Sequence, residues 1–181
     1  GYYSEIMGHA VGSKGSVVAV NPPQFVSSDQ AKAKWAGISL RQPNVSLYQS
    51  QLGDYSPAAN SYDFTMMHLI YHDLYWESEQ FKMARMDPAA FLSRLYTAIK
   101  PGGVVAVVDH VGEKGDTRSV VNKTHRINPE VVKTDFTKAG FLVDGETRIF
   151  ENPTDNLEKN VFDPSVRGKT NRFVIRFRKP G

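Results

Sequence analysis

The chain carries five histidines. Four of them, His68, His72, His110 and His125, fall at or just beyond the carboxyl ends of expected strands. Imidazole titrates near neutral pH, so a histidine placed there can take a proton from a hydroxyl or an amine. His110 and His125 are the preferred bases. For each histidine alone, the plain alternative is a hydrogen-bonded or surface residue. Arg126 joins the catalytic candidates: it binds an anionic substrate group or pairs with a carboxylate. His72-Asp73, Asp109-His110 and His125 also have metal-ligand chemistry. Their spacing matches no known metal motif, so no metal ligand is assigned, and His72-Asp73 by itself reads as loop structure.

The element that positions the polar pair Asp109-His110 is the clearest in the chain. A helical stripe ends at Lys100-Pro101-Gly102-Gly103, and an apolar run, 104–108, follows at once. Gly102 or Gly103 can adopt the left-handed conformation that closes a helix. A five-residue apolar run after a glycine turn reads as a strand buried on both faces of a parallel sheet. In open α/β sheets ligands bind beyond the carboxyl ends of the strands, where Asp109 and His110 sit.

The remaining elements alternate. Residues 4–11 suit a short helix, 17–20 a strand, and 28–38 a helix capped by Ser27 or Ser28. Strands are expected at 45–48 and 62–69. Asp87-Pro88 is a cap followed by proline at the first helical position. Phe91, Leu92, Leu95, Tyr96 and Ile99 then form an apolar stripe. Asn128-Pro129 repeats that start, with Val132, Phe136 and Ala139 facing inward before Gly140. Residues 141–143 and 147–150 read as strand material, and 172–178 as the last strand. Trp76, Phe81, Met83 and Met86, after the 62–69 strand, read as a helix packed against the sheet. Strands alternating with helices define a doubly wound, mostly parallel α/β sheet, with an antiparallel hairpin from the last two strands. No repeat or low-complexity linker interrupts 1–181, which reads as one domain.

Composition excludes several classes. There is no cysteine, so disulfides, thiolate metal sites and a cysteine nucleophile are ruled out. No apolar run approaches the roughly 20 residues of a membrane-spanning helix, and no membrane partner is expected. The net charge is +3, with 22 basic against 19 acidic residues. The concentrated basic stretch is C-terminal, where Phe173, Ile175 and Phe177 alternate with Arg172, Val174, Arg176 and Arg178. That pattern is a half-exposed strand with a solvated face, and no nucleic-acid partner is expected.

The pattern resembles the class I S-adenosylmethionine-dependent methyltransferases. The resemblance rests on Tyr62-Asp63-Phe64 opening one strand, on Leu95 through Lys100-Pro101-Gly102-Gly103 leading into the next, and on the final hairpin. It covers nearly the whole chain and implies a Rossmann-like fold. Asp109-His110-Val111-Gly112, His125-Arg126-Ile127 and Phe162-Asp163-Pro164 through Arg167-Gly168-Lys169-Thr170 are more closely similar to a bacterial group of methyltransferases without an assigned substrate. The resemblance implies S-adenosylmethionine as cofactor and a small molecule as methyl acceptor. It also implies Gly1, Tyr2 and Tyr3 near the methionine part, Asn21 at the ribose, Asp54 and Tyr55 near the adenine, and His68 bordering the methionine end. Asp54 is alternatively a turn residue, and Tyr2 and Tyr3 alternatively helix-packing residues; for Trp76, Phe81, Met83 and Met86 the resemblance implies a cover over the substrate as the alternative to helix packing.

Two departures accompany it. Of the family's glycine-rich loop only the tail, Gly1-Tyr2-Tyr3-Ser4-Glu5, is present, and the strand before it is not. An N-terminal segment is therefore expected upstream, or a partner copy that supplies the strand by exchange in a homo-oligomer. The compartment expected is the bacterial cytoplasm, or the periplasm if that segment carried an export signal. Second, Asn21 stands where the family places an acid for the ribose hydroxyls. An amide bonds a hydroxyl less strongly than a carboxylate does. These departures keep two alternatives open: a catalytically degenerate binding or assembly protein, and a metal-dependent enzyme built on the histidine cluster.

Overall fold

The computed structural model describes residues 1–181. They pack as two compact units, Gly1–Tyr55 and Ser56–Gly181.

The first unit contains α1 (Tyr2–Val11), β1 (Val17–Asn21), α2 (Asp29–Arg41) and β2 (Val45–Gln49). Ser28 caps α2, its hydroxyl accepting from Ala31 N at 3.2 Å. β1 and β2 pair in parallel, Val17 opposite Val45 and Asn21 opposite Gln49. Val17, Ala19, Val26, Trp35, Ile38 and Val45 form this unit's core. The Asn44 side chain donates to the carbonyls of Gly8 and Gly12. The end of α1 is thereby tied to the start of β2, so α1 runs against the strands.

The second unit contains β3 (Tyr62–His68), α3 (Pro88–Ala98), β4 (Ile99–His110), α4 (Thr117–Thr124), α5 (Pro129–Lys138), β5 (Leu142–Thr147) and β6 (Arg172–Arg178). The strand order is β3-β4-β6-β5. β3 runs parallel to β4, with His68 opposite Val108. β6 is antiparallel to both β4 and β5, with Asp109 opposite Phe173. The starts of α3 and α5 are as expected. Asp87 accepts from Ala89 N and Ala90 N at 2.9 and 3.2 Å, and Asn128 from Glu130 N at 2.9 Å. Phe136 of α5 stacks on Phe177 of β6 with centroids 4.0 Å apart.

The fold is α/β, as the pattern predicts, but the expectation of one mostly parallel sheet is corrected. The strands form a two-stranded and a four-stranded sheet, and parallel and antiparallel pairings are equally represented. Other expectations change locally. β4 begins at Ile99, directly after α3, and Gly102 (φ 76°) shapes a turn inside the strand rather than the helix end. Residues 148–150 lie outside β5. No α-helix forms between β3 and α3, where a 3-10 turn, His72–Tyr75, precedes the bridge between Ser78 and Met83. α4 is an element the pattern misses; Asp116 caps it, accepting from Ser119 N at 2.9 Å.

Beyond β4 the chain is held by a short strap. Ile127 N donates to His110 O at 3.0 Å and Gly112 N to Ile127 O at 2.9 Å. A Cβ on Gly112 would lie 2.8 Å from Ile127 N and 2.9 Å from Arg126 C, both backbone atoms. Gly112→Ala is therefore expected to lower stability by about 1–3 kcal/mol through overpacking. Urea unfolding followed by Trp76 fluorescence in a Trp35→Phe background reads it as a lower midpoint; an unchanged midpoint would show that the strap gives way freely.

Candidate active site

β4 delivers Asp109 to the end of the sheet with no exposed surface. Its carboxylate accepts three hydrogen bonds: from His72 N at 2.9 Å, from His72 Nδ1 at 2.8 Å and from His110 N at 2.7 Å. Burial opposes ionisation of Asp109, but the charge and hydrogen bonds of His72 outweigh it and hold the carboxyl below its usual range. His72 shows the reciprocal balance. Burial favours the neutral ring, yet Asp109, with help from Asp73, raises it to about 8. On the far side of the ring, Nε2 lies 3.3 Å from Asp73 Oδ1. Burial lifts Asp73 to about 6, against the pull of His72.

The turn carrying His72 is fixed from two directions. Leu69, in the left-handed region (φ 55°), ends β3 while its N–H still reaches Val108 O at 2.7 Å. Asp135 of α5 accepts hydrogen bonds from the hydroxyls of Tyr71 and Tyr75. The main chain of His72 is thus aimed at Asp109 by packing and polar tethers together.

His125 closes α4 in the left-handed conformation (φ 52°). Its ring stands edge-on to Trp76 at 4.7 Å, His72 at 5.6 Å and Phe162 at 5.3 Å. No protein group bonds its ring nitrogens, and burial, then the charge of His72, lower it to about 4. His110 Nδ1 lies 2.8 Å from the hydroxyl of buried Thr170. Burial is the main cause that lowers His110 to about 4, with the charges of His72, Arg126 and Arg172 adding to it. Both rings are neutral at pH 7.

His110 and His125 therefore sit together with His72, Asp73 and Asp109, as two of the three catalytic candidates. Arg126 does not join them. It is fully buried and pairs with Asp155 through two hydrogen bonds of 2.6 and 3.1 Å, and it donates to Lys159 O at 2.9 Å. Of its two readings, the carboxylate pair is the one realised, because no N–H is left to meet a substrate anion. His68 closes β3, half-buried, its pKa lowered by burial and then by Arg172.

The other cofactor candidates lie in the first unit. Gly1 caps α1, Tyr2 and Tyr3 stand edge-to-face at 5.1 Å, and Tyr2 is largely exposed. Asn21 ends β1, and Asp54 and Tyr55 follow β2, Tyr55 against Tyr48 at 5.3 Å. The side chains of Asn21 and Asp54 form no hydrogen bond within the protein, leaving polar atoms free at the carboxyl ends of a parallel pair. The pairing of His72 with Asp109, 37 residues apart, was missed by sequence reasoning. Its one signal was a carboxylate ending an apolar strand.

The chain matches no protein-family profile and no curated protein sequence. Solved structures do match. A SAM-dependent methyltransferase from Aquifex aeolicus aligns with a TM-score of 0.62 at 19% identity, covering 98% of this chain and 76% of that one. An S-adenosylmethionine-dependent methyltransferase from Mesorhizobium loti aligns at 0.57 and 14%, covering 91% and 81%. The cyclase SpnF aligns at 0.56 and 14%, covering 92% and 67%. The chain has the fold of the class I S-adenosylmethionine-dependent methyltransferases. The same fold hosts a cyclase, so the site, not the fold, must carry the functional argument.

Proposed function

We propose that this protein transfers a methyl group from S-adenosylmethionine to a small-molecule acceptor, with His110 as the proton acceptor. The observation that carries the reading is the group of buried, mutually oriented histidines at the carboxyl end of β3 and β4, in a methyltransferase fold spanning nearly the whole chain. When bound, the cofactor supplies an electrophilic methyl group on a sulfonium. The free polar groups of Asn21 and Asp54 fit it: the amide for a ribose hydroxyl, the carboxylate for the adenine amino group. Gly1, Tyr2, Tyr3 and Tyr55, in the same unit, are the other residues assigned to it there. Nδ1 of His110 is engaged by Thr170, so Nε2 is the nitrogen left to receive a proton. A neutral ring suits the task, since a hydroxyl or amine becomes strongly acidic as its bond to the methyl group forms.

The near balance of charge, +3 over 181 residues, supports a small molecule rather than a nucleic acid as acceptor. A second reading, a binding or assembly protein without catalysis, is favoured by the amide at Asn21 in place of an acid. Transfer of labelled methyl from S-adenosylmethionine to compounds of a protein-free metabolite extract separates the two. His110→Gln is expected to lower kcat by about 100-fold or more with KM for the cofactor unchanged. An unchanged kcat would remove His110 from the chemistry, and no transfer by the unaltered protein would favour the second reading.

A further inference from the structure

We propose that His72, Asp73 and His125 form a binding site for a divalent first-row transition metal ion, with Asp109 orienting His72 from behind. One ligand atom from each of the three residues lies within 4.8 Å of the other two. Bonds of about 2.0–2.2 Å to imidazole nitrogen and carboxylate oxygen place ligands of one ion about 3–4 Å apart, so closing the set takes small side-chain rotations. Residues 52 positions apart along the chain are brought to this distance by the turn after β3 and the end of α4.

Two independent features point to a cation. Asp109 accepts from His72 Nδ1 at 2.8 Å, and a metal-bound histidine characteristically donates its second ring N–H to a carboxylate. That bond holds the ring with Nε2 turned outward. Nε2 then faces the Asp73 oxygen at 3.3 Å, and a bound ion would take the place of the proton that the ring shares with that carboxylate. The second feature is His125. A left-handed backbone costs a non-glycine residue about 1–2 kcal/mol, and no protein group bonds the ring held there. Trp76 and Phe162 pack against that ring and limit its rotation.

The donor set selects the ion. Two imidazoles with one carboxylate suit Zn(II), Fe(II), Co(II) or Mn(II), whereas Ca(II) and Mg(II) favour all-oxygen shells. Three protein ligands leave coordination positions open for water or a substrate oxygen. The site stands on these residues alone and does not depend on methyl transfer.

The test is Zn(II) binding to chelator-treated protein, measured by competition with a chromophoric chelator, with Co(II) absorption as the spectroscopic readout. One tightly bound Zn(II) is expected. His125→Asn keeps the backbone comfortable, because asparagine adopts the left-handed region, and should weaken Zn(II) binding by about 100-fold. Asp73→Asn should weaken it as well, and His9→Gln, in the other unit, should not. The proposal is overturned if the unaltered protein binds no Zn(II), or if both His125→Asn and Asp73→Asn bind it as the unaltered protein does.

Discussion

Asp109→Ala is expected to lower the free energy of unfolding by about 3–5 kcal/mol, the usual result of removing one partner of a buried charge pair. The carboxylate has no exposed surface and accepts from two main-chain N–H groups, His72 N and His110 N, and from the His72 ring. Alanine leaves all three donors buried without acceptors, and no other acceptor is bonded to them. The double variant Asp109→Ala/His72→Phe should be less destabilised than the sum of the single changes, because the uncompensated imidazole is gone. With Trp35 of the first unit replaced by Phe, fluorescence during urea unfolding reports the second unit, where Trp76 packs on His125. A loss under about 1 kcal/mol would mean that solvent reaches these donors.

Arg126→Met should cost a similar amount, about 3–5 kcal/mol, for a related reason. The guanidinium spans the strap after β4 and the segment before β6, bonded to Asp155, Lys159 O and Val111 O. Its removal strands Asp155, whose carboxylate is equally buried and also accepts from Asn171 N at 2.7 Å. Adding Asp155→Asn should recover part of the loss, since the buried charge is then absent. An arginine that served a substrate anion would give the opposite signature: near-normal unfolding with a raised KM.

The parts of the fold legible in the sequence are those with local causes. Asp87-Pro88 and Asn128-Pro129 start helices because their side chains accept the first free N–H groups. The run from Val104 to Val108 is a strand because its side chains need cover. The elements that escaped depend on distant partners. α4 has eight residues and few apolar ones, and it is stabilised by its Asp116 cap and by packing near the turn after β3. The 71–86 segment is shaped by Asp135, by Arg118 and by the Ser78–Met83 bridge, and no local periodicity encodes these. The antiparallel place of β6 between β4 and β5 was visible only as a hairpin expectation.

The site divides along the same line. His110 and His125 could be picked out because they fall where strands end. That Asp109 serves His72 could not, because the pairing is made by the left-handed turn at Leu69 and by the tyrosine tethers on Asp135. Arg126 shows the converse case. Its two readings, substrate anion or carboxylate pair, could not be separated locally, because the Asp155 that engages it lies 29 residues away. The aromatic wall of Trp76 and Phe162 around His125 likewise appears only once the loops are folded.

Cofactor binding is the claim on which the functional account turns, and calorimetric titration of S-adenosylhomocysteine into the protein tests it most directly. The account predicts saturable binding of one equivalent, weakened about tenfold by Asn21→Ala, the loss of one net hydrogen bond of about 1.4 kcal/mol. The absence of saturable heat from the unaltered, folded protein would contradict methyl transfer and leave the fold serving another purpose.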